Sequence, residues 1–337
     1  QIGSCNREFG HFIHKNYTAW LNSEDRPNLS PDIVPKFVKP ILEENEKVCI
    51  LVVDCLRLDH FKSILPILEL FFTIEMHYNF SLLPSATPYS RNAIFSGMFP
   101  DEMVKKYPEQ ANDMENDSPS LNQYEKQFLL DQLKREGLGN KSVHYHKIWA
   151  VEEGNKFQNR IKDYVQQDIL ALVVNFVDIL AHKSSQTEIL KEMVPDESGY
   201  RTAVKSWLEH SWLLQVLKQL SASGFTVVMT SDHGSIRVQR SVMVSADRAA
   251  SSGVRYKYGR NLNTSDKNAI VIKDPETFRL PVFGPQPSYI FAKDDCFFIY
   301  PNQAHKYQAQ FKNSFQHGGV SMEEMLVPIA VMKSRGS

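Results

Sequence analysis

Three segments constrain the fold of this chain more than anything else in it: VCILVVDC at 48–55, ILALVVNFVD at 169–178 and FTVVMTSD at 225–232. Each is a continuous apolar run rich in β-branched residues, the pattern of a strand covered on both faces. Helical spacings separate them, and strands alternating with helices imply an α/β protein with a largely parallel sheet. Each run also closes on an acid: Asp54, Asp178 or Asp232. In open α/β sheets the ligand crevice lies beyond the carboxyl ends of the strands, so three carboxylates converge there. Their mutual repulsion must be relieved by protons or by metal.

Around these runs the rest of the chain falls into place. Phe9, Phe12, Ile13, Tyr17, Trp20 and Leu21 recur at three- and four-residue spacings, one face of a helix. Ser30 followed by Pro31 predicts a capped second helix toward Glu44. Residues 1–46 therefore read as a helical lead-in, and 47–333 as the main domain. A helix interrupted by Pro66 runs to Phe72, followed by a strand at 74–82 and a helix at 88–98. The polar stretch 101–120 reads as an exposed loop, and a helix at 121–136 stops at Gly137. VHYHKIW is strand-like, a polar helix follows it, and a long amphipathic helix spans 200–222. Residues 235–287 read as an irregular basic insertion or lid, and SYIFAKDDCFFIY after it as strands. The chain opens on Gln1 and closes on SRGS at 334–337, which reads as an excised piece ending in a cloning tail.

Composition excludes several functions. A length of 337 residues, at ~150 per domain, allows two domains or one large α/β unit. With 38 basic and 39 acidic residues the net charge is −1, which argues against a protein that coats duplex nucleic acid. The four cysteines, at 5, 49, 55 and 296, form no CxxC pair and favour a reducing, cytoplasmic setting. The longest apolar stretch, 169–181, is thirteen residues, too short for a membrane span of about 20.

The chemistry gathers in a few motifs. Asp178 and His182 are four apart, so one helical turn stacks them on one face. Asp232 and His233 are adjacent in SDHGS, where Gly234 lets the backbone turn away. His317 precedes Gly318 and Gly319, and Ser321 with Glu324 makes a capping box for a helix beyond them. Any one of these acids reads equally well as a helix cap; three, two with histidines at ligand spacing, point to metal. Carboxylate and imidazole without thiolate suit zinc, with manganese less favoured. Thr87, just before Pro88 in SATPYSRNAIFSG, is either a helix cap or a nucleophile among the free N–H groups of a helix start. Residues 235–260 carry Arg237, Arg240, Arg248, Arg255, Lys257 and Arg260 against the single acid Asp247, interleaved with Tyr256 and Tyr258. That is either a solvated loop or a lid over phosphates and bases. Arg57 follows Asp54 closely enough to steady a phosphate oxygen.

The ordered series VVD, SATPYSR, D-x-x-x-H, SDHG and HGGVSMEEML, from Val48 to Val331, resembles the alkaline phosphatase superfamily. Its opening VVDCLRLD is most similar to the PglZ domain. The resemblance implies a three-layer α/β/α fold and two Zn2+ ions, one held by Asp54, Thr87, Asp232 and His233, the other by Asp178, His182 and His317. It implies in-line attack on phosphorus by Thr87 and phosphodiesterase activity on cyclic or linear oligonucleotides. It further implies the output domain of a bacterial two-component response regulator for type IX secretion. An upstream receiver domain, and secretion or transcription machinery, would then be its partners. Position 86 is alanine, so the cysteine-derived chemistry of sulfatases is excluded. A phosphomonoesterase of the same superfamily is the alternative enzyme. A metal-stabilised protein- or nucleic-acid-binding module without turnover is the alternative from another class.

Overall fold

The computed structural model describes residues 2–109, 124–184, 188–245, 251, 253–284 and 287–335. Its strands in chain order begin with β1 (Lys47–Val53), β2 (Phe72–Phe80), β3 (Val143–Ile148), β4 (Ile169–Val174) and β5 (Phe225–Thr230). Then come β6 (Ile236–Arg237), β7 (Arg240–Met243), β8 (Tyr256–Arg260) and β9 (Ala269–Ile272). The last four are β10 (Pro287–Ala292), β11 (Cys296–Ile299), β12 (Phe315–Gln316) and β13 (Leu326–Ser334).

The three apolar runs are β1, β4 and β5, at the heart of a six-stranded sheet ordered β2-β13-β5-β1-β4-β3. Parallel ladders set Val48 opposite Ile169 on one side and Thr226 on the other, and β3 extends the parallel part beyond β4. Only β13 runs against its neighbours, pairing antiparallel with β5 and β2. Both faces are covered because side chains alternate along each strand. In β1, Cys49, Leu51 and Val53 enter one apolar cluster while Val48, Ile50 and Val52 enter the other. The first cluster is closed by helices Leu58–Leu68, Glu197–His210 and Trp212–Ala222, through Phe61, Tyr200 and Leu213. The second is closed by helices Lys39–Glu43, Thr87–Ser96 and Glu125–Arg135, through Leu42, Phe95 and Phe128. The molecule is thus a three-layer α/β/α protein with a mostly parallel sheet. The N-terminal helix, Ile2–Leu21, packs Ile13, Tyr17 and Leu21 into a third cluster with Tyr289 and Phe291 of β10.

Several local expectations are corrected. The helix predicted from Ser30 is a 3₁₀ turn, Ser30–Asp32, then a π-helical stretch, Val34–Val38, and only then α-helix. Pro35 and Pro40 lack the N–H that a continuous α-ladder needs. Ser30 is not the cap; Asp32 Oδ2 instead accepts the Leu29 N–H at 2.8 Å. The helix predicted over 200–222 is two helices broken at Ser211, whose backbone is extended and whose hydroxyl donates to the Leu208 carbonyl at 3.1 Å. Part of the predicted loop at 101–120 is the helix Pro100–Lys106, with Asp101 and Glu102 in its first turn and Lys105 and Lys106 in its last. Its remainder, from 110, lies outside the described residues, as do the first residues of the helix expected from 121. The segment 235–287 is not irregular: it contains β6 to β9, all four paired to β10, β11 or β12. Strand β13 runs through Ser334, one residue into the expected tail.

Candidate active site

Two strand-end loops meet first. Asp54 leaves β1 with its N–H donating to the Val174 carbonyl of β4 at 2.9 Å. Cys55 then turns with a positive φ of 65°, uncommon outside glycine. Asp232 Oδ1 accepts the N–H groups of Cys55 at 3.3 Å and His233 at 3.0 Å, and Ser231 Oγ accepts the Leu56 N–H at 2.9 Å. These bonds stitch the loop after β1 to the loop after β5.

His233 is aimed by its own backbone. Its Nδ1 lies 3.1 Å from the Gly234 carbonyl, which can only accept, so Nδ1 carries the proton and Nε2 of the neutral ring offers a bare lone pair. That Nε2 lies 3.6 Å from Asp54 Oδ1, 3.8 Å from Asp232 Oδ2 and 3.0 Å from Thr87 Oγ1. Gly234 is required here because a Cβ would meet the Glu323 carbonyl oxygen at 1.9 Å. Thr87 is the first residue of helix Thr87–Ser96, with Ala86 as the cap, so its hydroxyl stands at the positive end of the helix.

The second trio forms around Asp178, in the first turn of helix Phe176–Lys183. Its Oδ1 is 3.3 Å from His182 Nε2 and 3.6 Å from His317 Nε2, and the two Nε2 atoms are 3.1 Å apart. His317 stacks on His233 with ring centroids 4.2 Å apart, so the two trios are side by side. Gly318, at φ +117°, passes the chain where a Cβ would strike the Tyr256 ring at 2.3 Å. Ser85 ties the Thr87 loop to this one, donating to the Gly319 carbonyl at 2.8 Å and accepting the Gly318 N–H at 3.2 Å.

Sequence reasoning missed the residue at the centre. Arg91, one helical turn beyond Thr87 and fully buried, pairs with Asp54 and donates from Nε to Asp232 Oδ2 at 2.9 Å. Its far side donates to Asn175 Oδ1 at 3.2 Å and lies 3.6 Å from Glu125. The signal was the last letter of SATPYSR, an arginine on a helix aimed at strand ends rich in acid. Electrostatics follow from this arrangement. Burial raises the Asp54 carboxyl well above the usual range, against the pull of Arg91. Burial works in the same direction on Asp232, but Arg91 and His233 outweigh it and hold that carboxyl low. Asp178 is likewise held low, its burial outweighed by His182 and His317, while burial among the other histidines pushes His317 down to about 3.

The residues fit divalent metal. Asp54, Asp232 and His233 offer donor atoms within 4.8 Å of one another, as do Asp178, His182 and His317. The buried oxygens Asp54 Oδ1 and Asp178 Oδ1 have no hydrogen-bond partner, which a cation would provide.

Several of the basic residues chosen from sequence find partners within the protein. Arg57 is 4 % exposed, its fork held by Asp59 at 2.9 Å, Glu197 at 2.5 Å and the Ser235 carbonyl at 3.1 Å. Arg255 is fully buried against Glu324, with Nε 3.0 Å from Oε1. Lys257 is buried, with Nζ 3.1 Å from the Ser251 carbonyl and 4.7 Å from the Tyr300 ring centroid. Arg240 bridges Asp294 and Asp295. A buried guanidinium must find a carboxylate, and Arg57 and Arg255 found theirs in Asp59, Glu197 and Glu324. Arg237 and Arg260 are partly or fully exposed, and Arg248 lies outside the described residues.

A crevice at the carboxyl ends of a mostly parallel sheet, lined by three acids, three histidines and a hydroxyl, defines an alkaline phosphatase-like site. The chain belongs to the PglZ family: residues 33–332 match the BREX system PglZ alkaline phosphatase-like domain. Among solved structures, murine ectonucleotide pyrophosphatase/phosphodiesterase 5 is similar in fold at a TM-score of 0.57 and 13 % identity, over 85 % of this chain and 88 % of that one. An inactive variant of that protein in complex with AMP gives the same TM-score and coverage at 12 % identity. Phosphonoacetate hydrolase from Sinorhizobium meliloti 1021, in complex with phosphonoformate, is similar at a TM-score of 0.53 and 12 % identity, over 85 % of this chain and 89 % of that one. No curated protein sequence matches the chain.

Proposed function

We propose that this domain is a zinc-dependent phosphodiesterase that hydrolyses cyclic or linear oligonucleotides through Thr87. We propose further that it is the output domain of a bacterial two-component response regulator for type IX secretion. The observation that carries the enzymatic reading is the Thr87 hydroxyl at a helix start, 3.0 Å from His233 Nε2 and beside two trios of ligand-type side chains. Structural neighbours holding AMP and phosphonoformate support a phosphorus-containing substrate. The regulatory reading is supported by the sequence resemblance alone.

Thr87 Oγ1 gives its proton to solvent as it attacks phosphorus in line, and the bond to the opposite ester oxygen breaks as that oxygen takes a proton from solvent. Water then cleaves the phosphothreonine and restores the hydroxyl. Divalent ions held by the two trios would lower the pKa of the hydroxyl and offset the charge gathering on the phosphoryl oxygens. The chain's own contribution is position. Ser85 holds the nucleophile loop against the Gly318–Gly319 turn, Gly234 fixes the His233 tautomer, and Arg91 keeps Asp54 and Asp232 aimed inward.

Hydrolysis of a dinucleotide and of bis(4-nitrophenyl) phosphate by wild type and Thr87→Ala, each with and without chelator, tests the reading. The expected loss in Thr87→Ala is about 10³-fold or more in kcat, with chelator abolishing wild-type turnover. Metal analysis should give about two zinc ions per chain. Wild-type turnover by Thr87→Ala would refute the covalent route, and metal-free full activity would refute the metal centre.

A further inference from the structure

A cleft of about 380 Å³ has Lys191, Arg237 and Lys312 in its lining, with no acid among the described lining residues. Three of the chain segments that form it also carry a histidine of the site. Ser184 follows His182 by two residues, Arg237 follows His233 by four, and Asn313 precedes His317 by four. At ~3.5 Å per extended residue, each of these linings is within about 14 Å of a metal-ligand candidate. The pairing of β6 with β12 fixes two of the segments, setting Arg237 opposite Phe315 while its Nε donates to the Asn313 carbonyl at 3.3 Å. The Gln310 and Asn313 side chains add polar groups to the same wall.

We propose that this cleft is the subsite for a second phosphate of an extended substrate, the one next to the scissile phosphodiester in an oligonucleotide. The proposal rests on the phosphodiesterase reading above. Arg237 and Lys312, with no acid among the described lining residues, concentrate field lines on an anion. The cleft's volume fits one phosphate with part of its sugar, and walls within about 14 Å of His182, His233 and His317 let an extended strand reach from one site to the other. Arg255 and Lys257 are buried and engaged inside the fold, and Arg240 is held at the surface by Asp294 and Asp295.

The test compares wild type, the Arg237→Ala/Lys312→Ala pair, and Lys312→Glu, whose side chain is exposed and whose replacement leaves the β6–β12 pairing intact. The ratio of kcat/KM for a trinucleotide to that for bis(4-nitrophenyl) phosphate should fall about tenfold in both variants. In a Thr87→Ala background, binding of a fluorescent trinucleotide should lose ~0.7 of log–log salt slope per cation removed, or about 1.4 for the pair. An unchanged ratio with an unchanged slope overturns the subsite. If wild type cleaves neither diester, the phosphodiesterase reading fails, and the salt slope of trinucleotide binding still decides whether the cleft takes a phosphate.

Discussion

Arg91 is the residue on which the site turns. Asp54 and Asp232 leave adjacent parallel strands and cannot both be buried and charged without a cation between them. Arg91 is that cation in the chain itself, and a bound metal would be a second one. Arg91→Met should therefore destabilise the chelated protein by about 3–5 kcal/mol, the usual consequence of removing one partner of a buried ion pair. Zinc should restore much more thermal stability to the variant than to wild type, because it becomes the sole counter-charge. Melting curves with chelator and with zinc check this, and equal shifts in the two proteins would contradict it. Asp54, Asp178, Asp232, His182, His233 and His317 were all legible as candidates because their motifs are local. Arg91 was not, because its value depends on carboxylates 37 residues before it and 141 after it in the chain.

At the scale of elements, short turns hold the chemistry in register. Gly234 lies where a Cβ would meet the Glu323 carbonyl oxygen at 1.9 Å and Arg57 Cγ at 2.9 Å. Gly234→Ala must push the loop after β5 away from the helix Met322–Met325, taking His233 with it. Zinc affinity should drop by ten-fold or more, by titration against a chelating dye, with a loss of a few kcal/mol in stability. Half of the capping box after His317 forms: Ser321 Oγ accepts the Glu324 N–H at 3.2 Å, while Glu324 Oε1 accepts the Gly319 N–H at 2.9 Å in place of the Ser321 N–H. Its glutamate does more than cap: it is the carboxylate that Arg255 needs. Glu324→Ala should cost about 3–5 kcal/mol by urea unfolding, far beyond the ~1 kcal/mol of a lost cap. The strands β6 to β9 were not legible for a related reason. They are two to five residues long and paired with distant segments, so no local periodicity marks them.

Over the whole molecule, stability carries a pH signature from His60. The ring is fully buried edge-on to Tyr200, with centroids 4.3 Å apart, and neither nitrogen has a hydrogen-bond partner. Burial, with Arg57 adding to it and Asp59 opposing, pushes its pKa down to about 3. Between the ordinary value of ~6.5 and about 3, the unfolded chain binds a proton that the folded chain does not, so stability falls as pH falls through that window. Chelated wild type should lose about 2 kcal/mol more than His60→Leu between pH 6.5 and pH 5 in urea titrations, and parallel losses would rule this out. The largely parallel sheet and the convergence of three acids were decided by the sequence itself, because an apolar run followed by an acid is a one-dimensional signal, though Asp178 stands in the first turn of the helix after β4 and not on the strand end. The fate of the charges was decided only in three dimensions. Arg57 and Arg255 read as substrate contacts until the fold gave each a carboxylate partner, and Arg91 read as nothing until two strands brought Asp54 and Asp232 to it. Burial sets the worth of a charge, and burial is a property of the packed chain rather than of any segment in it.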